Sequence, residues 1–150
     1  MSYILNYSDT QYENYQETLR GHILNMKIPN VMTPADATGL IAYIDDIYTT
    51  VKLDFAILEA ERERIENIVR QYERIKAIGK NEDDRKRVAS EYLQEFPLSD
   101  GSVVDMYEKY RTMIIRHGFL KHAVEVIESK QSKLITISGY MKIDANLARY

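Results

Sequence analysis

Seven cations, Arg70, Arg74, Lys76, Lys80, Arg85, Lys86 and Arg87, crowd into eighteen residues of this chain, with Tyr72 and Tyr92 close by. Side chains of this kind suit a nucleic-acid backbone, because each contact with a phosphate releases a condensed counterion while aromatic rings stack on any base. Lys130 and Lys133 extend the same chemistry further along. The candidate nucleic-acid-binding residues are therefore Arg70, Tyr72, Arg74, Lys76, Lys80, Arg85, Lys86, Arg87, Lys130 and Lys133. Asp83 and Asp84 lie inside the same stretch, so a solvated loop is the competing reading.

Carboxylates offer a second chemistry. Glu59, Glu63 and Glu66 are similar in placement to the magnesium-binding helices of all-α nucleotide pyrophosphohydrolases. That chemistry requires a second acidic pair downstream, and only Asp105 and Glu108 come near the spacing. Arg62, Arg64 and Arg70 alternate with the glutamates, which describes an ion-paired, solvated helix face. His117 and His122 are five residues apart and point about 140° away from each other on a helix, so no histidine pair has metal-ligand spacing. His117 reads instead as a hydrogen-bonded core or interface residue. The chain has no cysteine, which excludes disulfides, a thiol nucleophile and Cys-ligated metal sites and fits a reducing compartment. No glycine-rich phosphate loop, Gly-x-Ser-x-Gly elbow or Rossmann fingerprint is present. These observations point to a non-enzyme without cofactor or metal.

The elements that must carry these residues are helical. In 150 residues there are 6 Gly and 3 Pro, too few for a loop-rich or all-β chain, while 45% hydrophobic and 29% charged residues are ordinary for a globular protein. Tyr12, Tyr15, Leu19, Ile23 and Met26 recur at helical intervals behind Ser8 or Asp9 as cap. Thr33-Pro34-Ala35-Asp36 then opens a long helix with an N-cap hydroxyl, a first-turn proline and an acid. Its seam, alternating four and three from Leu40 to Ile75, implies about 42 residues and roughly 63 Å at 1.5 Å per residue. Asp54 and Glu61 interrupt the seam, and the neighbouring Phe55 and Arg62 predict that the contact face drifts there. Gly79 is the expected stop, Asn81 caps a linker helix over 81–96, and Ser102 with Asp105 opens a second long seam from Val103 to Met141 with weak points at Gly118 and Gly139.

The expected architecture is all-α: two long helices in an antiparallel coiled-coil-like hairpin over 34–150, with short N-terminal (1–33) and linker helices, in a single domain. A second apolar stripe (Ile41, Phe55, Val69, Tyr107, Ile114, Ile135, Ile137) predicts a homo-oligomer, with Leu120, Val124, Ile127, Leu134, Ile135 and Ile137 as its interface. No apolar run is long enough for a membrane span and no leader is evident, so a cytoplasmic protein, in the host cytoplasm if viral, is expected. Net charge is −3, but residues 1–61 carry three basic and nine acidic side chains whereas residues 62–150 carry seventeen and fourteen.

The run Phe119 to Ile137 resembles the last helix of the phage recombination mediator family typified by UvsY, and Arg70-Gln71-Tyr72-Glu73-Arg74-Ile75-Lys76-Ala77-Ile78-Gly79-Lys80 resembles that family's basic stretch before a glycine turn. Ala77-Ile78 stand where the family carries tandem aromatics. The resemblance spans residues about 37 to 141 and implies a small, helical, oligomeric single-stranded-DNA binder that loads a recombinase and helps displace a single-strand-binding protein. It also implies that the cations at 70–80 contact phosphates and that the C-terminal helix drives oligomer formation. The alternatives are a helical scaffold or adaptor without nucleic-acid binding, docking a partner through its apolar stripe, and a magnesium-dependent nucleotide pyrophosphohydrolase.

Overall fold

A computed structural model describes residues 4–76 and 78–147, the side chains of residues 75, 76 and 143–145 excepted. The fold is all-α. In order it comprises a 3₁₀ turn (Ile4–Asn6), α1 (Asp9–Asn25), α2 (Pro34–Gln71), a π-helical turn (Tyr72–Lys76), α3 (Glu82–Leu93), the two-residue strands β1 (Phe96–Pro97) and β2 (Val103–Val104), and α4 (Met106–Leu147). The chain divides into two compact units, one made of Met1–Phe55 with Leu120–Tyr150 and the other of Ala56–Phe119. The hairpin expected as one piece over 34–150 is thus shared between both units.

Helix boundaries follow from local hydrogen bonds. Ser8 caps α1: its Oγ accepts from Gln11 N at 3.2 Å while Gln11 Oε1 accepts from Ser8 N at 2.9 Å. Thr33 and Asp36 make the same reciprocal pair at the start of α2, at 3.1 and 3.2 Å. Those bonds from Thr33 hold the Asp36 carboxyl below its ordinary range. Each pair satisfies two donors that a helix start leaves open.

The core of the long helices is a strict heptad. Ala37, Ile44, Val51, Leu58 and Ile65 on α2 are buried at intervals of seven, as are Met106, Met113, Leu120, Ile127 and Leu134 on α4. Asp54 and Glu61 sit on the neighbouring, half-buried line of α2. The predicted drift of the contact face is not observed, because each carboxylate has partners. In the first unit Asp54 Oδ2 accepts from Tyr15 Oη of α1 at 2.7 Å. In the second, Glu61 takes both a paired contact from Arg64 (2.7 and 2.9 Å) and Lys109 Nζ of α4 at 3.7 Å. The Arg64 guanidinium lowers the Glu61 carboxyl below its usual range. A half-exposed line tolerates a paired carboxylate where a fully buried one would not.

Within each unit α2 and α4 run antiparallel. In the first, Gln131 Nε2 donates to Asp45 Oδ1 at 2.9 Å and Lys52 lies 3.8 Å from Glu128. In the second, His117 Nε2 is 3.7 Å from Glu59 and the Tyr107 hydroxyl donates to Glu73. His117 is buried, as its seam position predicts.

Several boundaries differ from expectation. The linker helix stops at Leu93, not 96, since Phe96 pairs with Val104 and Pro97 with Val103 in an antiparallel ladder around a turn at Gly101, whose φ is +87°. Asp105 rather than Ser102 caps α4, accepting from Glu108 N at 3.0 Å, while Ser102 bonds Asp100 in the turn. Gly118 and Gly139 do not interrupt α4. Val69, expected on an outer stripe, is 4% exposed and belongs to the core, whereas Ile68 is only half-buried.

Candidate nucleic-acid interface

The bend cations are positioned by three local features of the second unit. α2 ends in the π-helical turn, which carries Tyr72, Glu73 and Arg74. Gly79 then passes close over the first turn of α3: a Cβ placed there would lie 2.8 Å from Arg85 N and 2.8 Å from Asp84 Cβ. Asn81 caps α3 by accepting from Asp84 N at 2.8 Å. The close crossing brings the end of α2 beside the start of α3, and Arg70, Arg74, Arg85 and Lys86 line one concavity of about 310 Å³ with Glu73 and Glu82.

The charge of that concavity is not cancelled. Arg70 pairs with the half-buried Glu66, while Lys86 with Glu82 at 3.4 Å and Arg87 with Glu91 at 3.3 Å lie one turn apart on exposed helix surface. Pairs of this kind contribute about 0–1 kcal/mol and exchange readily for a phosphate. Glu73 is engaged by Tyr107, whose hydroxyl is pushed well above the ordinary tyrosine range by burial and by that hydrogen bond. Among the described residues Arg74, Lys80 and Arg85 make no ion pair. The side chain of Lys76 lies outside the described residues.

Tyr72 is differently placed from its expected role as a base-stacking ring. It is half-buried, stacked on Tyr92 with ring centroids 4.7 Å apart and an interplanar angle of 22°, and Phe96 stands edge-on to both at 5.7 and 6.1 Å. The two hydroxyls are 3.3 Å apart. This trio fastens the π-helical turn to α3 and β1, and Tyr92, 44% exposed, presents more surface than Tyr72. Sequence spacing extends the linker helix through Phe96 and so hides the trio, whereas Phe96 belongs to β1 and pairs with Val104.

Lys130 and Lys133 belong to the first unit, whereas the bend cations belong to the second. Lys130 Nζ reaches the carbonyl of Met26, the C-cap residue of α1, at 3.5 Å. There a cation complements the negative end of the helix dipole. The expected oligomer contacts also need correction: Leu120, Ile127 and Leu134 on the heptad line and Val124 beside it are buried within the single chain, and of the six only Ile135, 68% exposed, is open, with Ile137 half-buried.

The acids considered for magnesium have separate partners, Glu59 beside the His117 ring and Glu66 paired with Arg70. Among the described residues no group of three or more His, Asp or Glu side chains is arranged to hold a metal ion, and no helix is long and apolar enough to cross a membrane. In comparisons with known proteins no family model, no curated protein and no solved structure matches the chain, and the functional reading rests on the geometry of its own residues.

Proposed function

We propose that the protein binds single-stranded DNA as a non-enzymatic recombination mediator, presenting the strand to a recombinase and helping displace a single-strand-binding protein. The observation that carries the DNA-binding part is the concavity between the π-helical turn and α3, where four cations face two carboxylates and Arg74 and Arg85 have no ion pair among the described residues. Phosphates are the ligands such a surface prefers, and the adjoining Tyr72–Tyr92–Phe96 trio keeps its walls in place. Mediator activity is what the family resemblance adds.

Fluorescence anisotropy with a labelled single-stranded oligonucleotide tests the binding. Affinity should fall steeply between low and physiological salt, with log K decreasing by about 0.7 per decade of salt for each phosphate engaged. R74E/R85E should remove most of the binding, and homopolymers of different bases should bind alike. No binding at low salt rejects the proposal. The adaptor reading is favoured by one observation, the exposure of the consecutive residues Ile114 (41%) and Ile115 (69%) on α4. It requires a protein ligand that I115E releases and that R74E/R85E leaves bound.

A further inference from the structure

We infer that the first unit carries a phosphate-binding surface of its own, formed by Lys27, Lys130 and Lys133, which holds the backbone of a single strand. The inference rests on the single-strand reading above for its ligand but not for its residues. Lys27 directly follows the C-cap of α1, and Lys130 and Lys133 stand three apart on α4, where side chains share a face with Cβ atoms about 5–6 Å apart. The three line one open concavity of about 570 Å³ together with Ser132, Ile28 and Ile137.

Three observations make this face suited to a polyanion. No carboxylate lines it. The nearest acid upstream on α4, Glu128, is directed to α2, where it meets Lys52 at 3.8 Å and the Tyr48 hydroxyl at 3.4 Å. Lys27 and Lys133 are exposed and make no ion pair among the described residues, while Lys130, half-buried, is oriented by the Met26 carbonyl. Residues 1–61 are otherwise acidic, with Lys27 one of three cations against nine carboxylates, so repulsion elsewhere confines a strand to this face. Ile28 and Ile137 add apolar surface for sugars and bases.

The test compares wild type, K27A/K133A and R74E/R85E, leaving Lys130 in place to hold Met26, with K27R/K133R as the charge-conserving control. Each is titrated with a single-stranded oligonucleotide over a salt series, and lysine acetylation is mapped by mass spectrometry with and without the strand. K27A/K133A should lower the salt slope by about 1.4, two contacts at roughly 0.7 each, while K27R/K133R keeps the wild-type slope. The strand should protect Lys27 and Lys133 from acetylation. An unchanged slope with unprotected Lys27 and Lys133, where R74E/R85E still abolishes binding, overturns this inference and leaves the bend reading standing. Loss of binding in K27A/K133A with R74E/R85E unaffected does the reverse. Protection by vesicles of anionic lipid but not by the oligonucleotide also overturns it, as does a wild-type protein that binds no strand at all.

Discussion

Asp54 is a carboxylate on a helix line that otherwise packs, and its hydroxyl partner Tyr15 explains why it is tolerated. A hydrogen bond to a charged group in a partly buried site is worth about 1.5–3 kcal/mol, so Tyr15→Phe should destabilise the fold by about that much in urea denaturation. Burial, and then the bond to Asp54, hold the Tyr15 hydroxyl protonated far above its usual range. The sign of the pH effect follows. Below pH about 10 both folded and unfolded chains keep the proton; above it the unfolded chain releases a proton that the folded chain retains, so stability falls as pH rises. Urea midpoints measured from pH 9 to 11 should therefore decline, and the decline should be shallower in Tyr15→Phe. At Gly79 the constraint is steric, because an added methyl meets the backbone of Arg85 at 2.8 Å. Gly79→Ala should cost about 1–3 kcal/mol by overpacking, and should weaken oligonucleotide binding by displacing α3 from the π-helical turn.

At the scale of elements, apolar periodicity made the long helices legible and capping residues fixed most of their starts. Ser8, Thr33 and Asn81 were recognisable because each has a partner three residues on, and the heptad positions of α2 and α4 are nearly those read from spacing alone. What periodicity could not show was which of two adjacent lines would be fully buried. The structure buries the line without charge and leaves Asp54 and Glu61 on the other, a choice made by partners on α1 and α4 that lie far away in sequence. The hairpin of β1 and β2 was equally hidden: two residues on each side are too short for an alternation to register. The basic bend was legible as composition, but its fastening by Tyr72, Tyr92 and Phe96, and the separation of Lys130 and Lys133 from it, were not. Gly118 shows the limit of propensity, since α4 runs through it unbroken and a Cβ there would meet nothing within 4 Å. Gly118→Ala should stabilise the protein by about 0.5–1 kcal/mol, seen as a higher thermal midpoint.

For the whole molecule, the buried core removes four residues from the expected association surface and leaves exposed isoleucines at 114, 115 and 135. The expected association of copies is tested at these positions. Sedimentation equilibrium should then give a mass above that of a 17.5 kDa monomer, reduced by Ile115→Glu or Ile135→Glu and unchanged by Arg74→Glu. The division of the chain has a further consequence, for the order in which the molecule is made. The unit Ala56–Phe119 is continuous in sequence, whereas the other needs Leu120–Tyr150 to complete a half that left the ribosome first. A chain that ends at Phe119 holds all of the inner unit, while its α1 and the first part of α2 lack their partner, Asp45 and Gln131 being brought together across 86 residues. A released chain of residues 1–119 should accordingly resist protease between residues 56 and 119 and be cut within the first 55.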